Sequence, residues 1–141
     1  MLPIKARPPQ ATVLSTGEQS SVANAAFANG TMGHALDFDD FGGFDHPTVA
    51  IFPALLAIGE HSGATGRDLL EAYVVGCEVG LALQHATKYK QMDKGFRSTA
   101  VIGRLACTAA CAKLMKLNYD QTVIALGIAG SIIANTIRFQ F

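Results

Sequence analysis

The sequence predicts an all-α chain, a multi-helix bundle, on three observations. After Pro53 it contains no proline, so nothing there removes an N–H from a helical ladder. Thr65-x-x-Asp68 and Asn118-x-x-Gln121 are helix-starting patterns, in which a side-chain oxygen satisfies a free backbone N–H at the first turn. Between these marks apolar residues recur at helical spacing.

Residues 1–19 hold three of the five prolines and the polar run Ser15-Thr-Gly-Glu-Gln-Ser-Ser21, and are expected to form an irregular lead. The helical domain is expected over 20–141, with helices at about 20–36, 48–62, 66–88, 98–117 and 119–137 and no sheet of more than two strands. The first is rich in alanine and asparagine. The second follows Pro47, with Thr48 placed where its hydroxyl could help start it. Gly63 and Gly66 punctuate the turn before the third, which Thr65 and Asp68 cap. Gly76 and Gly80 lie one turn apart on that helix, and Ala106, Ala109 and Ala110 crowd the next, so backbones can approach closely there. An interior glycine costs a helix about 1 kcal/mol relative to alanine, which tight packing has to offset.

Composition narrows the class. At 141 residues with 50% hydrophobic residues and a mean hydropathy of +0.28, the chain is one domain at most and is expected to set part of its surface against further protein. A formal net charge of zero gives no electrostatic case for nucleic acid. Cys77, Cys107 and Cys111 fall in apolar helical patterns, as reduced thiols of a cytosolic core would. Cys107 and Cys111 share a helix face, but two thiols alone make a poor zinc site. Gln121 to Ile137 lacks charge but contains Gln121, Thr122, Ser131, Asn135 and Thr136, so a buried helix is expected rather than a membrane span. The first ten residues combine Lys5 and Arg7 with three prolines and no apolar core, so no secretory leader is read, and the expected location is cytoplasmic.

The most informative stretch is His34-Ala-Leu-Asp-Phe-Asp-Asp40 with the following Phe-Gly-Gly-Phe-Asp-His-Pro47. Asp37, Asp39, Asp40 and Asp45 are four of the chain's eleven acids and lie with His46 in a loop between two helices. Adjacent carboxylates repel, so some must be hydrogen-bonded to backbone, paired with cations or partly protonated. His46 is the nearby proton donor. The alternatives are that Asp37 and Asp40 are turn and capping residues, or that the cluster holds Mg, Ca or Mn. The spacing matches neither the calcium-loop nor the His-rich zinc pattern, so no metal is assigned. A second constellation, Lys88, Lys90, Lys94, Arg97 and Arg104, contains only one acid, Asp93. Arginine binds carboxylates through its planar fork, so Arg97, with Lys94, complements an anionic substrate, whereas Lys88 and Lys90 suit the negative end of the third helix.

The colinear series Asn29-Gly30-Thr-Met-Gly-His34-Ala-Leu-Asp37-Phe-Asp39-Asp40, His46-Pro47, Phe52-Pro-Ala-Leu-Leu-Ala-Ile-Gly-Glu60, Gly66-Arg-Asp-Leu-Leu-Glu-Ala-Tyr-Val-Val-Gly-Cys-Glu78 and Gly95-Phe-Arg-Ser-Thr-Ala-Val-Ile-Gly103 resembles the MmgE/PrpD family of 2-methylcitrate dehydratases and cis-aconitate decarboxylases. The resemblance covers roughly 20–141. It implies a large helical domain with a smaller lid domain, a homodimer, and a lyase acting on small di- or tricarboxylates without metal, iron–sulfur cluster or nucleotide cofactor. Against that design the chain reads as a fragment, beginning after the family's first helices and stopping before a Gly-Thr-Met-Thr-Lys segment, so partners are the missing parts of the enzyme or another copy. A non-catalytic helical or dimerisation module is the alternative. The resemblance implies Asp37 and His46 as the acid–base pair and Arg97, Asp40 and Lys94 as substrate-binding residues. Two departures stand out. The family usually has histidine where Arg97 stands, and often threonine at Phe41. The guanidinium at Arg97 can bind a carboxylate but does not shuttle a proton as histidine does.

Overall fold

The computed structural model describes residues 9–132. They form a two-residue hairpin, β1 (Ala11–Thr12) and β2 (Gln19–Ser20), followed by α1 (Val22–Gly33), α2 (Pro47–Ser62), α3 (Gly66–Thr87), a single turn α4 (Lys90–Asp93), α5 (Ser98–Leu114) and α6 (Tyr119–Ser131). The all-α class is thus seen directly. The strands are antiparallel, with Ala11 opposite Ser20 and Thr12 opposite Gln19.

The caps are those the sequence marks. Thr65 and Asp68 form a reciprocal capping box at α3, and Asn118 and Gln121 form one at α6. Ser21 opens α1 by accepting from the N–H of Asn24. Helix ends differ from expectation where a left-handed residue intervenes. α5 stops at Leu114 because Lys116 adopts φ 54°, letting Lys116 N–H bond Lys113 C=O and Leu117 N–H bond Ala112 C=O. The part of the fifth expected helix beyond Ile132 lies outside the described residues.

The core lies where α2, α3 and α5 meet. Ile51 and Leu55 from α2, Ala72 from α3, and Ile102, Ala106, Ala110 and Leu114 from α5 close around Phe44 of the α1–α2 loop. The small residues act as anticipated. A Cβ on Gly76 would lie 2.9 Å from Ala110 Cβ, and one on Gly103 would lie 2.8 Å from Ala50 Cβ. Gly80 leaves the notch that the Phe44 ring fills.

The hairpin covers α1 and α2. Buried Ala11 packs with Ala25 and Ala57, and Glu60 receives the N–H (2.7 Å) and hydroxyl (2.6 Å) of Thr12. Asn29 of α1 donates to Thr12 C=O and accepts from Leu14 N–H. The described end of the lead therefore has regular structure. Its turn uses Gly17 at φ 72°, a conformation glycine adopts without steric cost. α6 packs on α5 and leaves Val123, Ile124 and Ile128 exposed, as is Ile132 just after it, so the helix expected to be buried is open on one side among the described residues. Among the described residues no helix is long and apolar enough to cross a membrane.

Candidate active site

The α1–α2 loop is shaped by three non-helical turns and one anchor. α1 ends at Gly33, with His34 N–H bonding back to Gly30 C=O. Asp37 at φ 53°, Gly43 at φ 59° and Asp45 at φ 92° reverse the chain, and Gly42 N–H closes the second reversal on Asp45 C=O at 2.8 Å. Phe44, 1% exposed, pins the loop into the core two residues before His46. His46 N–H donates to Thr99 Oγ1 at 3.4 Å, tying the loop to the start of α5.

This geometry brings two histidines and two aspartates together. His34 Nδ1 lies 2.9 Å from Asp39 Oδ1 and its Nε2 lies 3.7 Å from Asp37 Oδ1. His46 Nε2 lies 3.5 Å from the same Asp37 oxygen, and its Nδ1 lies 3.2 Å from Asp39 Oδ2. The two rings meet edge to face with centroids 4.7 Å apart. Side-chain exposure grades the cluster from His46 at 9% through Asp39 at 14% to Asp37 at 76%, so it has a dry floor and a wet rim. Burial pushes the Asp39 carboxyl up, but the hydrogen bond from His34 and the charges of His34 and His46 outweigh it and hold the group below the usual aspartate value. Such a set can hold an imidazole in one orientation and exchange a proton at its open side.

Asp37 and His46, the sequence-derived acid–base pair, are therefore in contact. Asp40 faces elsewhere. Its Oδ2 accepts from Thr48 N–H at 3.3 Å and Thr48 Oγ1 at 2.9 Å, placing a carboxylate at the positive end of α2. Thr48 does not cap its own helix as its position suggested. Its hydroxyl also contacts Tyr73 Oη at 2.6 Å. With one proton to give, it donates to Asp40 and accepts from Tyr73.

Arg97 is the exposed residue before α5, and Lys94 is exposed at the end of α4. Among the described residues neither side chain makes an ion pair or hydrogen bond with the cluster. Arg97 lies two residues before Thr99, so its backbone adjoins the loop. Lys88 ends α3 in the left-handed conformation at φ 51°, in keeping with a helix-end role. Arg104, without an assigned role in the sequence reading, lines a cavity of about 580 Å³ with Thr31, His34, Thr99, Cys107 and Thr108, and its Nη1 donates to Ile132 C=O at 2.7 Å. His34 and Asp39 are the other omissions. Their signal was their position inside the quoted loop, but one-dimensional spacing does not say which of four aspartates turn towards a histidine. Cys107 and Cys111 are free, with sulfurs 3.9 Å apart.

Residues 1–140 match the MmgE/PrpD N-terminal domain model. Among curated relatives, the chain is 38% identical over 121 residues to the cis-aconitate decarboxylase of Mus musculus, covering 79% of this chain and 25% of that protein. It is 39% identical over 113 residues to the Homo sapiens cis-aconitate decarboxylase, covering 76% and 24%. A cis-aconitate decarboxylase-like protein of Aspergillus oryzae is 35% identical over 115 residues, covering 74% and 24%. The chain thus spans about a quarter of the length of these relatives. With the motif series in sequence and the domain match over nearly its whole length, the chain belongs to the MmgE/PrpD family.

Proposed function

We propose that this chain supplies the proton-transfer part of a cofactor-independent lyase for small di- and tricarboxylates, with cis-aconitate decarboxylation as the first reading. The observation that carries it is the Asp37–His46 contact at 3.5 Å in a loop held by the core. The relatives' names favour decarboxylation over dehydration of 2-methylcitrate. In that reaction the bond to the leaving carboxylate breaks, its electron pair enters the adjoining double-bond system, and the far carbon takes a proton. His46 would give that proton while Asp39 and Asp37 hold its ring. Arg97, whose backbone adjoins the loop, and Lys94 would bind the remaining carboxylates.

Dehydration of a 2-hydroxy tricarboxylate is the second reading, because two adjacent proton-transfer groups also provide the base and acid that it needs. In either case Asp40 serves the substrate through the loop, since its carboxylate is engaged by Thr48. Exposed Leu36, Phe38 and Phe41 beside the cluster would be covered by further enzyme or a second copy. The location consistent with this metabolism is cytoplasmic.

The test is turnover of cis-aconitate and of 2-methylcitrate by a full-length family enzyme carrying this chain as its N-terminal domain, following carbon dioxide release and product absorbance. His46→Ala should lower turnover by about 10²- to 10⁴-fold. Turnover within a few-fold of the parent would remove His46 from the chemistry.

A further inference from the structure

We propose that His34, Asp37, Asp39 and His46 form a binding site for one divalent transition ion of the zinc class. On the functional reading above, such an ion would inhibit, because it would occupy the atoms that move the proton. One ligand atom from each residue lies within 4.8 Å of all the others. The nitrogen–oxygen separations of 2.9, 3.2, 3.5 and 3.7 Å engage both nitrogens of each ring, and a single ion would take one nitrogen from each. Ligands about 2.0–2.2 Å from a shared tetrahedral ion stand some 3.3–3.6 Å apart, so pairs as far apart as 4.8 Å have to draw in for the four residues to close on one ion.

A second observation comes from the dry floor of the site. His46 is 7% exposed, and its Nδ1 has no hydrogen-bond partner. Asp39 Oδ2, which Nδ1 faces at 3.2 Å, has none either. Unmatched buried polar atoms are costly, and an ion between these two would satisfy both.

The donor set decides the class of ion. Two imidazole nitrogens disfavour magnesium and calcium, which prefer all-oxygen sites, whereas two imidazoles and two carboxylates suit Zn²⁺, Co²⁺ or Mn²⁺. Two carboxylates also balance the ion's charge. The cavity against His34 gives it a way in. The thiols of Cys107 and Cys111 are the competing ligands, since Cys107 lines the same cavity.

The experiment is titration of this chain with Co²⁺ and Zn²⁺, and needs no catalytic activity. One equivalent should bind, with visible Co²⁺ ligand-field bands and no thiolate-to-metal charge-transfer band. The ion should shift the proton resonances of His34 and His46 while leaving His61 and His85, outside the cluster, in place. Asp39→Asn and His46→Ala should each weaken Zn²⁺ by about 10-fold or more, and Cys107→Ser should leave it unchanged. The histidine resonances test the site in the unaltered chain, should a variant fail to fold. Absence of stoichiometric binding, a thiolate band, or resonance shifts confined to His61 or His85 would overturn the site. None of these results would touch the lyase reading, which stands on turnover. Conversely, Zn²⁺ bound at the four residues of a chain whose full enzyme turns over neither acid would leave the site standing and remove only its inhibitory meaning.

Discussion

Gly80→Ala offers a test of how the core positions the site. In an open helix this change stabilises by about 1 kcal/mol, because alanine loses less backbone freedom on folding. At Gly80 the added methyl would enter the Phe44 ring. That ring is 1% exposed and sits in the cluster with Ile51, Leu55 and Ile102, so it has little room to move aside. Overpacking a filled core costs about 1–3 kcal/mol, and full ejection of the ring would approach the 3–5 kcal/mol of a Phe→Ala change. After the propensity gain of about 1 kcal/mol, the variant should lose up to about 2 kcal/mol, and the loop bearing His46 should move with Phe44. Gly127→Ala is the control, since nothing lies within 4 Å of a Cβ at that position on α6, and it should gain stability. Urea unfolding of both variants, with amide exchange over residues 43–46, gives the answer. Equal stabilisation by the two changes, with exchange in the loop unaltered, would refute the slot.

Two further outcomes follow from polar contacts. Hydrogen bonds from the Thr12 hydroxyl and N–H hold the Glu60 carboxyl below its ordinary value of 4.5, against a smaller upward push from burial. A depressed folded pKa gives stabilisation that is full above the unfolded value and lost as pH falls through the folded one. Protection of the hairpin amides, corrected for the intrinsic exchange rate, should therefore fall in acid below pH 4.5, and Glu60→Gln should flatten that dependence. Thr48→Val keeps the shape but takes a donor from Asp40 and the acceptor from Tyr73 Oη, so it should cost about 1–3 kcal/mol, with Thr48→Ser close to the parent in thermal unfolding.

What was legible in the sequence was whatever local chemistry decides. Thr65 with Asp68 and Asn118 with Gln121 cap their helices because the partner is three residues away, and Gly76 and Ala110 meet because small residues one turn apart mark close approach. What was not legible depends on distant partners or on unfavourable backbone. Lys88 and Tyr89 both adopt positive φ, at 51° and 60°, and neither residue type announces that turn or the single-turn α4 after it. Asn29 and Glu60 bind the hairpin from α1 and α2, so the order of residues 11–20 comes from tertiary contacts that their serines and threonines do not encode. Within the loop, four aspartates carry the same chemistry in one dimension. Only folding assigns Asp40 to Thr48 and Asp39 to the two histidines.

That division of labour among the aspartates bears on how an anionic substrate could be accepted. Asp37 and Asp39 place negative charge where a polycarboxylate would have to approach, and Asp39 in particular is held ionised by its histidines. Like charges at close range oppose binding unless cations lie on the far side of the substrate. Lys94, Arg97 and Arg104 are cations on the stretch of chain that leads into and opens α5. Thr99, in the middle of that segment, is the residue to which His46 N–H is bonded. That hydrogen bond ties the loop bearing the histidine to the start of α5. A polycarboxylate lying between them would meet proton-transfer groups on one side and guanidinium or ammonium groups on the other. On the function proposed above, Arg97, standing by resemblance where the family usually has histidine, would add fixed charge in place of a second titrating ring and leave proton transfer to the α1–α2 loop.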